Sequence, residues 1–74
     1  RYLVEGITEI SDFNEFFDVG LPDDEFDTVG GLVIHAFGRL PEINESTSIE
    51  NFDFKVTAGD NRKISQLEVT KNDL

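Results

Sequence analysis

From Thr28 to Leu40 the apolar residues Val29, Leu32, Val33, Ala36, Phe37 and Leu40 recur at i, i+3, i+4, i+7, i+8 and i+11. That spacing lines one face of an amphipathic α-helix. Asp27 or Thr28 supplies an N-cap, and the acids before it suit the positive end of the helix dipole. Arg39 falls in the expected last turn, where a cation is favoured, and Pro41 stops the helix. Upstream, Phe13, Phe16 and Phe17 at i, i+3 and i+4 predict a shorter helix with one apolar stripe. Ser11 reads as its N-cap, Asp12 complements its first turn, and it ends near Val19-Gly20 before Pro22. Tyr2-Leu3-Val4 is a short β-prone run closed by Gly6, a first strand and turn.

After a polar stretch, Glu42 to Thr47, read as a loop, the period falls from 3.6 to 2. Phe52, Phe54, Val56 and Ala58 alternate with Asp53, Lys55 and Thr57, the pattern of a half-buried strand. Gly59-Asp60-Asn61-Arg62 supplies turn residues, so the next strand returns as a hairpin. Leu67 and Val69 share a parity in that strand, and Ile64 is out of step. One extra residue near Ser65-Gln66, a β-bulge, brings Ile64 to the core face. The predicted fold is α+β: a small, largely antiparallel sheet with two helices on one face, in the order β-α-α-β-β.

The chain has 74 residues and divides nowhere, so residues 1–74 form one domain. A chain this short buries only roughly 60% of its unfolded surface. It has no cysteine, hence neither a disulfide framework nor a thiolate metal site. With no methionine and Arg1 in front, it reads as a segment excised from a longer protein. At 38% hydrophobic residues, with seven Phe, it is too apolar for a disordered acidic tail and should fold. No apolar run is long enough to span a bilayer. The net charge of −10 excludes nucleic acid as the main partner, since phosphate binding needs a basic face. The charge is concentrated: residues 1–27 carry nine acids against Arg1 alone, whereas the last third is nearly neutral.

Candidate chemistry is sparse. Gly30 and Gly31 each cost roughly 1 kcal/mol relative to Ala inside a helix. Close approach of another element accounts for such a pair, and so does a glycine-rich ligand loop. Neither G-x-G-x-x-G nor a P-loop is present, which favours packing. Asp23, Asp24, Glu25 and Asp27 are candidate ligands for a surface Mg²⁺ or Ca²⁺. The EF-hand template fails there, because Thr28 takes the glycine position and Ile34 that of the bidentate Glu. His35, the single histidine, has no second ligand for zinc and no paired nucleophile. The C-terminal bases, Lys55, Arg62, Lys63 and Lys71, could contact anionic lipid headgroups or a partner's acids, but ordinary exposed strand residues are the favoured reading. With no nucleophile–base pair and no ligand set, the residues point to a non-enzyme.

Several of these features, in this order, resemble the CorC/HlyC transporter-associated domain. The resemblance rests on Tyr2-Leu3-Val4-Glu5-Gly6, Ile10-Ser11-Asp12-Phe13-Asn14-Glu15 and Asp24-Glu25-Phe26-Asp27-Thr28-Val29-Gly30-Gly31-Leu32. It continues through Phe37-Gly38-Arg39-Leu40-Pro41, Phe54-Lys55-Val56, Asp60-Asn61-Arg62-Lys63-Ile64 and Val69. Asn44 stands where the family often has Gly, and because Asn tolerates the left-handed conformation the turn should survive. Lys63 stands where Arg is common, which weakens a bidentate anion contact.

The resemblance implies a non-catalytic accessory or regulatory domain on the cytoplasmic side of the inner membrane, within a magnesium and cobalt efflux protein. Its partners would be the CBS and membrane domains of the parent chain, or a second copy, without membrane insertion of its own. The family's fold is likened to part of FAD-binding oxidase domains, which makes FAD a candidate ligand and Gly30, Gly31, Arg62 and Lys63 its candidate contacts. The alternative function is a ligand sensor for a flavin, another nucleotide or a divalent cation. Against FAD stand the missing dinucleotide fingerprint and an acidic surface that repels a pyrophosphate.

Overall fold

The computed structural model describes residues 1–72. Its elements are β1 (Tyr2–Glu5), α1 (Ile10–Phe17), α2 (Val29–Phe37), β2 (Ser46–Ile49), β3 (Phe52–Gly59) and β4 (Ile64–Lys71). The four strands form one antiparallel sheet in the order β1-β4-β3-β2, so the first strand pairs with the last. The expected α+β architecture is observed, with one strand more than the sequence pattern suggested. The stretch read as a polar loop ends early. Ser46–Ile49 pairs antiparallel with residues 52–55 of β3, from Ser46 opposite Lys55 to Ile49 opposite Phe52. This short edge strand carries a single apolar residue, so periodicity alone gave no sign of it.

The core lies between the sheet and the helices. Phe52, Phe54 and Val56 of β3, with Ile64, Leu67 and Val69 of β4, are buried against Ile10 and Phe13 of α1 and Val29, Leu32 and Val33 of α2. Each side chain so removed from water contributes about 1.5–3 kcal/mol before conformational entropy is set against it. The alternation read in β3 is therefore real: Phe52, Phe54 and Val56 turn inward and Lys55 is exposed. The expected bulge is present. Val56 pairs with Leu67, Ala58 with Gln66 and Gly59 with Ile64, so Ser65 is the extra residue on β4 and Thr57 its counterpart on β3. Ile64 reaches the core as a result.

Helix α2 obeys its sequence signals at the start. Thr28 is the N-cap, its hydroxyl accepting from the Gly31 amide at 3.1 Å. The helix ends sooner than expected, at Phe37, where Gly38 adopts φ 76° and donates to the carbonyls of Ile34 and His35. Arg39 thus lies beyond the last turn, and Ala36 of the apolar stripe faces solvent. Helix α1 departs further. It begins one residue before Ser11, its N-cap position is Glu9 with no side-chain cap, and it closes at Phe17 with Asp18 in the left-handed region. Ser11 is therefore an exposed first-turn residue, the helix beginning at the buried Ile10, whose amide donates to the Asp27 carbonyl at 2.9 Å. The segment after α1 is pinned by Asn14, whose side chain donates to the Leu21 carbonyl and accepts from the Leu21 amide, both at 2.9 Å. That pairing holds Leu21 in the core.

Candidate functional site

Gly6, Gly30 and Ile64 form a junction of three elements made almost entirely of backbone. The Gly30 amide donates to the Gly6 carbonyl at 2.9 Å, and the Gly6 amide donates to the Ser65 carbonyl at 2.9 Å. A Cβ on Gly30 would stand 2.9 Å from the Gly6 oxygen, and one on Gly6 would stand 2.0 Å from the Ile64 oxygen. Close approach of another element is thus the structural reason for Gly6 and Gly30, whereas a Cβ on Gly31 would meet only the Thr28 hydroxyl of its own N-cap, at 3.3 Å.

The same junction consumes the anion-binding capacity of the α2 N-terminus. The Val29 amide donates to Thr8, that of Gly30 to Gly6 and that of Gly31 to the Thr28 hydroxyl. The first donors, which elsewhere cradle phosphates, already have partners. The fold does bring three of the four cofactor candidates together, since Gly30, Gly31 and Lys63 border one shallow depression with Ile34 and Ile64. Arg62 does not line it. Arg62 sits in the β3–β4 turn, where the Asp60 carboxylate accepts from the amides of Arg62 and Lys63 at 2.8 and 3.0 Å. Those two amides hold the Asp60 carboxyl below its ordinary range.

Asp23, Asp24, Glu25 and Asp27 are all exposed in the segment between the helices. Asp23 and Asp27 border a depression with Glu9, Ser11 and Phe26, and the other two acids lie outside it. Among the described residues no three His, Cys, Asp or Glu side chains converge as ligands for an ion. His35 is exposed, its ring 4.7 Å from that of Phe26, a packing contact.

Arg39 closes the α2–β2 connection. Its guanidinium meets Glu45 as a two-pronged ion pair, with Nη1 to Oε2 at 2.8 Å, and Glu45 also accepts from the Glu42 amide. The Arg39 hydrogen bond, then the Glu42 amide, lower the Glu45 carboxyl to about 2, and the Arg39 guanidinium is raised in turn. Asn44 completes this turn at φ 77°, the left-handed conformation expected of it.

One feature escaped the sequence reading. Phe16, placed there on the apolar stripe of α1, is 71% exposed, and Phe13 alone of the three phenylalanines is fully buried. Phe16 stands beside Phe17 and Tyr2, edge-on to both, at centroid distances of 4.8 and 5.8 Å. With Leu3, 66% exposed, they border a groove of about 440 Å³ between β1 and α1. The i, i+3, i+4 spacing gave no signal of this, because Phe16 is exposed by where α1 lies beside the edge strand β1.

Comparison with known proteins agrees with this geometry. The CorC_HlyC model, described as a transporter associated domain, matches residues 1–73. The magnesium and cobalt efflux protein CorC of Pasteurella multocida is 47% identical over 72 residues, which cover 97% of this chain and 24% of that protein. Among solved structures, a Mg²⁺ and Co²⁺ transporter (CorC) associated region from Neisseria meningitidis MC58 superimposes with a TM-score of 0.90 at 39% identity, covering 93% of this chain and 85% of that one. The transporter associated domain of a CBS domain protein from Porphyromonas gingivalis gives 0.83 at 30% identity, covering 96% and 87%. A domain of a Xylella fastidiosa hemolysin, solved in complex with Mg²⁺ and Mn²⁺, shares the fold at a TM-score of 0.84 and 21% identity, covering 96% and 86%.

Proposed function

This chain belongs to the CorC_HlyC transporter-associated domain family, and from that premise we propose that it is a non-catalytic accessory domain of a magnesium and cobalt efflux protein. Its place would be on the cytoplasmic side of the inner membrane, and its role regulatory, by packing on the CBS and membrane domains of its parent. The observation that carries the reading is the match of 97% of this chain to 24% of an efflux protein, the proportion of an appended module. The structure is compatible with that role. Its core is closed and apolar, no polar or charged residue is buried among the described residues, and none of its helices is long and apolar enough to cross a membrane. Deleting these residues from the parent should change metal tolerance or assembly. Unaltered cobalt tolerance together with an unaltered oligomeric state would refute the proposal.

The alternative, a ligand sensor, is separated by thermal shift of the purified chain with FAD or Mg²⁺. A ligand that binds only the folded state raises the midpoint. The engaged amides at the α2 N-terminus argue against the flavin, so an unmoved midpoint with FAD is expected.

A further inference from the structure

We infer that the groove between β1 and α1 seats a polypeptide segment whose apolar side chains are flanked by Lys or Arg. The inference rests on the accessory-domain reading and names the face that docks and the chemistry it selects. The groove is apolar where it opens. Leu3 and Phe16 are each more than three-fifths exposed, Tyr2 is 45% exposed, and the Phe13 ring forms part of the lining. These side chains are grouped, and a grouped apolar patch beside a groove marks an interaction site where scattered ones do not. The groove also lies along β1, an edge strand with a partner on one side only, so a docking chain meets backbone groups as well as rings.

Charge selects among possible occupants. Glu5 and Asp12 line the groove itself, and they belong to the stretch of nine acids and one base that makes residues 1–27 strongly negative. A second copy placed face to face would set that field against itself. An anionic bilayer is repelled for the same reason. A basic segment gains from the acids and can also set its cationic groups against the partly exposed rings of Tyr2 and Phe16. Apolar anchors with basic flanks are what both properties of the groove favour.

The test uses the ¹⁵N-labelled 74-residue chain and three synthetic peptides, one alternating Leu with Lys, one Leu with Glu and one Gly with Lys. The Leu–Lys peptide should shift the amides of Tyr2–Glu5 and Asp12–Phe17 and weaken in high salt. A Leu3→Ser/Phe16→Ser variant should bind it at least about tenfold more weakly. Both positions are exposed, so the variant should keep a cooperative urea transition at a modestly lower midpoint, which shows that it folds. Shifts centred on Asp23–Asp27, equal binding by the Gly–Lys peptide, or binding indifferent to the double variant would each overturn the inference. So would tighter binding to phosphatidylglycerol vesicles, or a dimer of the chain that the double variant abolishes. If deletion of the domain alters the parent while Leu3→Ser/Phe16→Ser in the parent does not, this face is wrong and the accessory role stands.

Discussion

The amide of Gly30, in the first turn of α2, donates to the carbonyl of Gly6 at 2.9 Å with no side chain between the two backbones. An Ala at Gly30 gains up to about 1 kcal/mol of helix propensity but sets its methyl against an immobile peptide group, and overpacking of that kind costs roughly 1–3 kcal/mol. Gly30→Ala should lower the urea midpoint. Gly6→Ala should lower it more, because its Cβ would fall 2.0 Å from the Ile64 oxygen. Gly20→Ala, with open space around it, should leave the midpoint nearly unchanged. A Gly30→Ala chain as stable as the parent would remove close packing as the reason for the glycine.

Phe13 and Phe16 lie three residues apart on α1, at 2% and 71% exposure. Phe13→Ala empties a core site against Phe52 and Phe54 and should cost about 3–5 kcal/mol. Phe16→Ala forfeits edge-on contacts with Tyr2 and Phe17 and should cost about 0.5–1.5 kcal/mol. Equal losses in chemical denaturation would contradict the placement of the two rings.

Thr28→Ala removes the acceptor for the Gly31 amide and should destabilise by about 1 kcal/mol. Ser11→Ala removes no cap and should change stability by less than about 0.5 kcal/mol. Paired denaturation curves decide between this assignment and the one drawn from sequence, which gave both residues the same role.

How far the sequence could be read follows from where each residue's environment is local. Helix α2 and the β3–β4 hairpin were legible because their partners are the sheet and each other, so burial appears as a 3.6 or 2 period. Even the bulge was legible, through the parity of Ile64 against Leu67 and Val69. Strand β2 was not, because Ser46–Ile49 is held by pairing with β3 and has only Ile49 to show for it. The start of α1 is fixed by pairing remote in sequence, the Ile10 amide donating to the Asp27 carbonyl beside the Glu9–Thr28 bridge, and so Ser11 misled. Of the candidate site, the glycine pair was visible as an anomaly. The groove was not, since nothing in the order of residues says that Phe16 lies at the sheet edge.

The Glu45 carboxyl, lowered to about 2 by the Arg39 hydrogen bond, ties stability to acid. Its unfolded counterpart titrates near about 4.3. The folded form therefore holds fewer protons, and the contribution is complete above that value and vanishes as pH falls through about 2. Glu45→Gln should be less stable at neutral pH and should show a shallower loss between pH 5 and 2, the two curves converging at the acid end. Asp60 and Asp53, lowered by the Arg62 and Lys63 amides and by Ser48 and Asn72, retain their own acid dependence in that variant. Parallel curves over the whole range would show that the ion pair is not formed in solution.

Because β1 and β4 run antiparallel side by side, with Tyr2 opposite Val69, the chain enters and leaves at the same end of the same ladder. Tension drawn between those two points would not shear the sheet. It would peel β1 away one rung at a time, starting at Tyr2, whereas β3 and β2 would feel almost none of it. Tension applied at those two points would therefore act first on the strand that borders the groove between β1 and α1.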